Sequence, residues 1–383
     1  MFMMFAMTTD SVGEIIPIVM SQFKLNMTQA GMLHYGPMVA IALAGILLGF
    51  LADKIGRKNT IILGLLLFAI NSVLFAFGNS FYYYITLLLI SGTAIGVFKT
   101  GAIALIGDIT NSSKEHTSTM NMVEGFFGIG AIIGPFLVAY FLSQGMDWKN
   151  LYFVAALLSA ILMITAFFIK YPESKTQVKE KANLSTTFKA LKDPYTLAFS
   201  IGAFLYVSVE AAIYVWMPTL LKDYTGSLVL LATYSLSIFF ILRAGGRFLG
   251  AWLLMKYHWS AVLALLTFLI LMFFGISIFT GAEAKVILLP LTGLFMSVIY
   301  PTINSKGLSC SKKEKHGSVA GIILFFTAAG AAIGPLIMGA VSDFYNSPLH
   351  GFFVATVFAL LLFIMALFNW IFNPSEKRMS END

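Results

Sequence analysis

The stretch GFLADKIGRKN, Gly49 to Asn59, gathers four charged residues, Asp53, Lys54, Arg57 and Lys58, between two long apolar runs. Residues 31 to 52 precede and enter it and residues 59 to 78 come after it, each near the ~20 apolar residues that a helix needs to cross a bilayer. A charged turn between two such runs reads as a surface loop joining antiparallel helices. The same reading extends along the whole chain. Apolar segments lie near 1 to 22, 31 to 52, 59 to 78, 81 to 107, 118 to 142, 151 to 170, 195 to 221, 228 to 255, 260 to 280, 284 to 308, 317 to 342 and 351 to 372. None shows strand alternation, and each is too long for a barrel strand. Hydrophobic residues make up 58% and charged residues 11% of the chain, against ~25% charged in soluble domains. The fold class is therefore an all-α membrane protein with twelve transmembrane helices.

The first segment follows Met1 without a basic region or a small-residue cleavage site, so it is expected to be a retained span. Cys310 is the lone cysteine and excludes an internal disulfide. Placing the N-terminus inside puts four basic residues, Lys24, Lys149, Lys222 and Lys285, in or beside outer loops and sixteen in or beside inner ones. The excess of Lys and Arg marks the cytoplasmic side, so both termini are expected there. Basic loops facing anionic lipid account for the net charge of +6 without nucleic acid as a partner.

A polar, basic stretch over 171–194 divides the chain into an N-terminal six-helix bundle at 1–170 and a C-terminal one at 195–373, with a cytoplasmic tail at 374–383. An internal repeat supports the division. FGIGAIIGPFLVAYF, from Phe127, and TAAGAAIGPLIMGAV, from Thr327, share a GxxxGP core at positions 130 to 135 and 330 to 335. Small residues at i and i+4 let helices approach closely, so the motif alone could be packing. Its recurrence in helices 5 and 11 makes the two bundles pseudo-symmetric.

The opening stretch resembles the cytoplasmic signature of the major facilitator superfamily, with Gly49, Asp53, Lys54, Gly56, Arg57 and Lys58 in the specified places. The resemblance implies a latch that holds the two halves together in the outward-open state. Asp53 would cap a neighbouring helix N-terminus and pair with Arg57. GAWLLMKYHW, from Gly250, has Leu254 where the second half would carry the acid, so the latch is expected to be asymmetric. TTDSVGEIIP in helix 1, MNMVEGFFGIGA in helix 5, FLYVSVEAAIYVW in helix 7, GRFLGAWLL in helix 8 and FMSVIYPTINS in helix 10 are similar to stretches of the fucose, glucose and galactose proton symporters. Motifs of drug and proton antiporters are half present: the helix-5 glycine-proline motif is there, but Gly92 stands about where those proteins have an arginine.

Charged groups inside a span cost at least ~2.5 kcal/mol and mark substrate or ion routes. This chain has Asp10 and Glu14 in helix 1, Lys99 in helix 4, Glu124 in helix 5, Glu210 in helix 7, Arg243 and Arg247 in helix 8, and Lys306 in helix 10. In the sugar symporters the position matching Lys99 is typically a glutamate, and that matching Glu124 a glutamine that contacts sugar. The two changes look coupled. At 1.5 Å per residue Lys99 lies about 13 Å and Glu124 about 9 Å from the inner ends of their helices, depths at which long side chains of antiparallel neighbours meet. An ion pair facing the central cavity is expected, functional or purely structural. Asp10 and Glu14, one turn apart, are the leading proton-coupling candidates, since two like charges push one pKa upward. Glu210 is another, or else a fixed partner of Arg243 or Arg247.

Trp216, Tyr300 and Asn304 are of the residue types that a sugar site needs, and equally suit helix packing. No cluster of metal ligands, phosphate loop or nucleophile elbow is present, so no metal, cofactor or enzymatic activity is expected. The expectation is a secondary transporter that imports a monosaccharide or similar small polar solute with H⁺ by alternating access. The alternatives are proton-driven efflux of an amphipathic compound, uptake of an anionic sugar, or a solute-binding receptor. A monomer in a bacterial inner membrane is expected, with the solute and the lipid bilayer as its partners.

Overall fold

The computed structural model describes residues 1–48, 51–110, 113–171, 191–311 and 316–380, within which the side chains of residues 46, 53, 113, 114, 116–118, 121 and 316–318 are not described. These residues form helices and loops, with no strand among them. Among the described residues, eleven helices are long and apolar enough to cross a membrane. Helix 2, Met32–Leu48, is the other expected span, and its described part stops at residue 48.

Contacts divide the chain into two compact units, Met1–Val178 and Lys179–Asp383. Most of the expected linker, at 172–190, lies outside the described residues. The first unit holds helices 1 (Phe2–Phe23), 2, 3 (Arg57–Leu74), 4 (Phe81–Ile109), 5 (Ser113–Ser143) and 6 (Asn150–Phe168). The second holds helices 7 (Pro194–Leu221), 8 (Ser235–Lys256), 9 (Trp259–Phe279), 10 (Ala282–Ser309), 11 (His316–Phe344) and 12 (Pro348–Phe372). Helix 8 begins later than its apolar run suggests, because Tyr234 separates it from a short helical turn at Val229–Thr233.

The two units repeat one packing scheme. Helix 1 packs on 5, 2 on 4, 3 on 6 and 3 on 4; helix 7 packs on 11, 8 on 10, 9 on 12 and 9 on 10. The GxxxGP motif explains the first pairing in each unit. A Cβ at Gly130 or Gly134 would run into the carbonyls of Met3 and Met7 on helix 1. At Gly330 it would stand 2.5 Å from the Phe204 carbonyl of helix 7, and at Gly334 2.7 Å from Ser208 Oγ. Ser208 also donates to the Gly330 carbonyl at 3.3 Å. In lipid, where apolar burial gives little drive for association, such close backbone approach supplies the packing energy.

Two further features place the functional groups. Helix 1 is broken: Phe2–Thr9 and Val12–Phe23 are helical, with a turn at Asp10 and Ser11 between them. Helix 7 carries a π-helical turn at Ala212–Trp216, just before Pro218. It starts firmly, with Pro194 in its first turn and the Asp193 carboxylate accepting from Thr196 N at 2.9 Å.

Part of the segment expected as a tail folds back. Asn373, at φ 50°, ends helix 12, and Pro374 opens helix 13, Pro374–Ser380. Trp259 Nε1 donates to Glu376 Oε2 at 3.0 Å, His258 Nε2 lies 3.2 Å from the same oxygen, and Arg378 reaches Asp193 at 3.6 Å. Helix 13 is thereby tied to the first residues of helices 7 and 9.

Candidate functional site

The first unit brings Asp10, Lys99 and Glu124 into one group. Asp10 stands at the turn between the two segments of helix 1, its N–H still bonded to the Ala6 carbonyl at 3.0 Å. Lys99, in helix 4, is half-buried and holds its Nζ 5.4 Å from the ring centroid of Phe127 on helix 5. Glu124 lies three residues before Phe127, on the same helix face. The fields of Glu124 and Asp10 both act on the Lys99 ammonium. Among the described residues Glu124 acts on Lys99 through its field, with no contact ion pair between the two. The Phe127 ring lies against the charge, a cation–π arrangement. Glu14 stands outside this group. It is half-buried in the second segment of helix 1, which also contains Pro17, and no hydrogen bond or ion pair joins its carboxylate to a described residue.

In the second unit the decisive group is Glu210, Arg243 and Tyr206. Glu210 Oε1 lies 2.7 Å from Arg243 Nη2, and the Glu210 side chain is 8% exposed. The Tyr206 hydroxyl is 2.9 Å from both that oxygen and the Met296 carbonyl. Tyr206 stacks on Tyr300, ring centroids 6.1 Å apart, and Thr327 of helix 11 donates to the Tyr300 hydroxyl at 3.3 Å. Of the two roles open to Glu210, this is the geometry of a fixed ion-pair partner of Arg243. Arg247, one turn on, is exposed.

Trp216 is 1% exposed and donates its indole N–H to the Pro335 carbonyl at 3.1 Å. It packs helix 7 against the GxxxGP motif of helix 11 and offers no face to a solute. Lys306 lies over the Trp259 ring at 5.3 Å, beside helix 13 and apart from the Glu210 group. Asn304 is half-buried on helix 10.

The signature loop is seen in part, since Gly49 and the Asp53 side chain lie outside the described residues. Leu51–Lys54 forms one helical turn and Gly56, at φ 84°, makes the bend into helix 3, a conformation that favours glycine. The Arg57 guanidinium donates Nε–H to Asp108 Oδ2 at 2.9 Å and an Nη1 proton to the Ala52 carbonyl at 2.6 Å, while its expected pairing with Asp53 involves a side chain outside the described residues. Sequence reasoning did not single out Asp108; its place in the last turn of helix 4, level with a basic loop, was the available signal. Lys58 donates to the Phe167 carbonyl at 2.6 Å, at the C-terminal end of helix 6 where a cation is favoured.

Two pseudo-symmetric helical units, a basic signature loop and charged groups inside the spans agree with one family. The family description "Major Facilitator Superfamily" matches residues 1–335. This chain belongs to the Major Facilitator Superfamily. It is a membrane-embedded transporter of that superfamily, a family of carriers rather than enzymes. The superfamily member is 25% identical over 364 residues to the quinolone resistance protein NorA of Staphylococcus aureus, covering 88% of this chain and 87% of NorA. It is 24% identical over 410 residues to the L-fucose-proton symporter of Escherichia coli strain K12, covering 96% and 91%. The match to the glucose/galactose transporter of Brucella abortus is 25% over 361 residues, covering 90% and 86%. Among solved structures, the nucleoside transporter NupG aligns with TM-score 0.74 at 16% identity, over 96% of this chain and 95% of that one. FucP in its outward conformation aligns at 0.61 with 21% identity, over 96% and 97%. At these identities the solved structures establish the fold alone.

Proposed function

We propose that this superfamily member imports a small polar solute of the monosaccharide class together with a proton. The observation that carries the reading is the grouping of Lys99 with Asp10 and Glu124 around the broken turn of helix 1. Two carboxylates and one ammonium sum to −1, and one bound proton brings the group to zero. Charges inside a span favour such neutralisation, which links proton occupancy to the electrostatic state of the site. Helix 1 supplies one carboxylate from the turn between its two segments. The likeness to the L-fucose-proton symporter and the glucose/galactose transporter supports the same solute class.

Proton-driven efflux of an amphipathic compound is the second reading, favoured by the likeness to NorA. One experiment separates the two. In proteoliposomes with a trapped pH dye, solute is added outside, scanning neutral sugars, sugar acids and amphipathic cations. Proton entry with a neutral sugar, abolished by Lys99→Gln or Glu124→Gln, is the expected result. A response confined to sugar acids makes Lys99 a counter-charge for the solute. Proton movement with amphipathic cations alone replaces import by efflux.

A further inference from the structure

At the end of the first unit that carries the signature loop, a cavity of about 470 Å³ opens between the starts of helices 1 and 3, the last turns of helix 4, helix 5 and the end of helix 6. Its size falls within the ~300–1,000 Å³ of small-molecule sites. Phe98, Ala102 and Ile106 form its floor, each at most 7% exposed. Ile109, Phe126 and Ile169 stand at its rim, each about half exposed, and Lys170 and Tyr171 complete the wall. We propose that this cavity binds one acyl chain of an anionic phospholipid, whose phosphate rests on Lys170 and Lys58.

The wall argues for the chain. Apart from Lys170 and the Tyr171 hydroxyl, the side chains that line the cavity are hydrocarbon or thioether, so they suit an apolar occupant and offer little to water or a free ion. An exposed rim of isoleucine and phenylalanine gives a chain from the adjoining leaflet an apolar way in. The polypeptide leaving Tyr171, PESKTQVKEKA at 172–182, is polar and lacks the apolar side chains that would fill such a space.

The charges argue for the headgroup. Lys170 is exposed at the wall. Lys58 Nζ lies 5.8 Å from the ring centroid of Tyr171 and donates one proton to the Phe167 carbonyl at 2.6 Å. An ammonium has three protons, so two remain for phosphate oxygens. The neighbouring acids do not cancel this charge: Asp108, beside Ile109, is held by Arg57 at 2.9 Å, and Glu124, beside Val123, lies in the field of Lys99. Basic pockets between spans are a recurring place for anionic headgroups. A chain seated here touches Phe98 and Val123, the residues next to Lys99 and Glu124, so lipid occupancy bears on the spacing of helices 4 and 5. The inference holds whatever the solute.

The test uses purified full-length protein in detergent, titrated with dioleoylphosphatidylglycerol or dioleoylphosphatidylcholine and read by native mass spectrometry beside thermal melting. Two lysines at an anionic headgroup predict a roughly 30-fold preference for the glycerol lipid, about fivefold for each lysine. Lys58→Gln/Lys170→Gln is expected to abolish the preference. Ala102→Phe fills the floor and removes the tight binding. Ile169→Glu leaves the floor intact, since residue 169 is exposed, and by placing a carboxylate at the mouth it lowers affinity for the glycerol lipid alone. Equal affinity of the wild type for both lipids overturns the proposal, as does unchanged binding in Ile169→Glu. Inorganic phosphate is expected to leave melting unchanged; a rise equal to that with the glycerol lipid would assign the lysines to a free anion and overturn it too.

Discussion

Glu210 and Arg243 face each other across helices 7 and 8 with Glu210 Oε1 2.7 Å from Arg243 Nη2, and Tyr206 closes the group from one turn below. Two acceptor sites of one carboxylate oxygen are thus occupied by a guanidinium and a phenol. The group has the geometry of a structural anchor between helices 7 and 8.

The first prediction comes from that closure. Arg243→Gln strands a carboxylate that is 8% exposed, which costs roughly 3–5 kcal/mol for a buried pair. The double variant Glu210→Gln/Arg243→Gln removes both charges and recovers much of the loss. Melting in detergent by fluorescence-detected gel filtration reads these variants beside Glu210→Gln alone; a double-variant loss equal to the sum of the two single losses would show that the pair is not coupled.

A second prediction concerns Arg57 and Asp108, each about one-tenth exposed. Asp108→Asn weakens the same contact as Arg57→Gln, so both are expected to slow transport to a similar degree while leaving solute affinity intact. Arg57→Lys keeps the charge but loses the fork that serves Asp108 and the Ala52 carbonyl together, and falls between wild type and Arg57→Gln. Counterflow rates beside equilibrium solute binding decide it. An Asp108→Asn variant with wild-type rates would assign Arg57 to Ala52 and the loop alone.

Features written in local spacing were legible in the sequence, and features set by helix rotation were not. The GxxxGP repeat and the charged signature loop each carry their meaning within a dozen residues, and the spans come from length and hydropathy. Trp216 shows the opposite case. It lies six residues after Glu210 on the same helix, but the π turn at Ala212–Trp216 inserts an extra residue and rotates the rest of the helix by about 100°. Spacing alone sends it to the wrong neighbour. The contact of Arg57 with Asp108 was hidden for a different reason: Asp108 is 51 residues away, and only the pairing of helices 3 and 4 brings it to the loop. The group around Lys99 was half legible, since depth along helices 4 and 5 put Lys99 and Glu124 level. The break that turns Asp10 toward them has no strong local signal.

The third prediction is a pH dependence at helix 13. The Trp259 N–H bonded to Glu376, with His258 and Lys306 nearby, holds its carboxyl below the usual value of 4.5. A folded-state pKa below the unfolded one contributes stability above the unfolded value, and that contribution is lost as pH falls through the folded value. Wild type should therefore exceed Glu376→Gln in melting temperature at neutral pH, and the gap should shrink below about pH 4.5. The effect is small because the Glu376 side chain is 47% exposed. A gap that widens on acidification would reverse the assignment.

The last prediction tests the repeat itself. Gly130 and Gly330 occupy equivalent places in helices 5 and 11, and a methyl group at either meets a carbonyl of the facing helix, Met3 in one unit and Phe204 in the other. Backbone cannot yield as a flexible side chain does, so the helices must separate, and inserted methylenes of this kind cost ~1–3 kcal/mol each. Gly130→Ala and Gly330→Ala should thus lower melting by similar amounts, and a larger residue at either should abolish folded protein. Gly128→Ala is the control, because nothing stands within 4 Å of its added Cβ and alanine is the better helix former by up to ~1 kcal/mol in a helix interior. It should leave melting unchanged or raise it. If Gly130→Ala and Gly128→Ala melt alike, close backbone contact is not what joins helices 1 and 5, and the shared GxxxGP core loses its physical meaning.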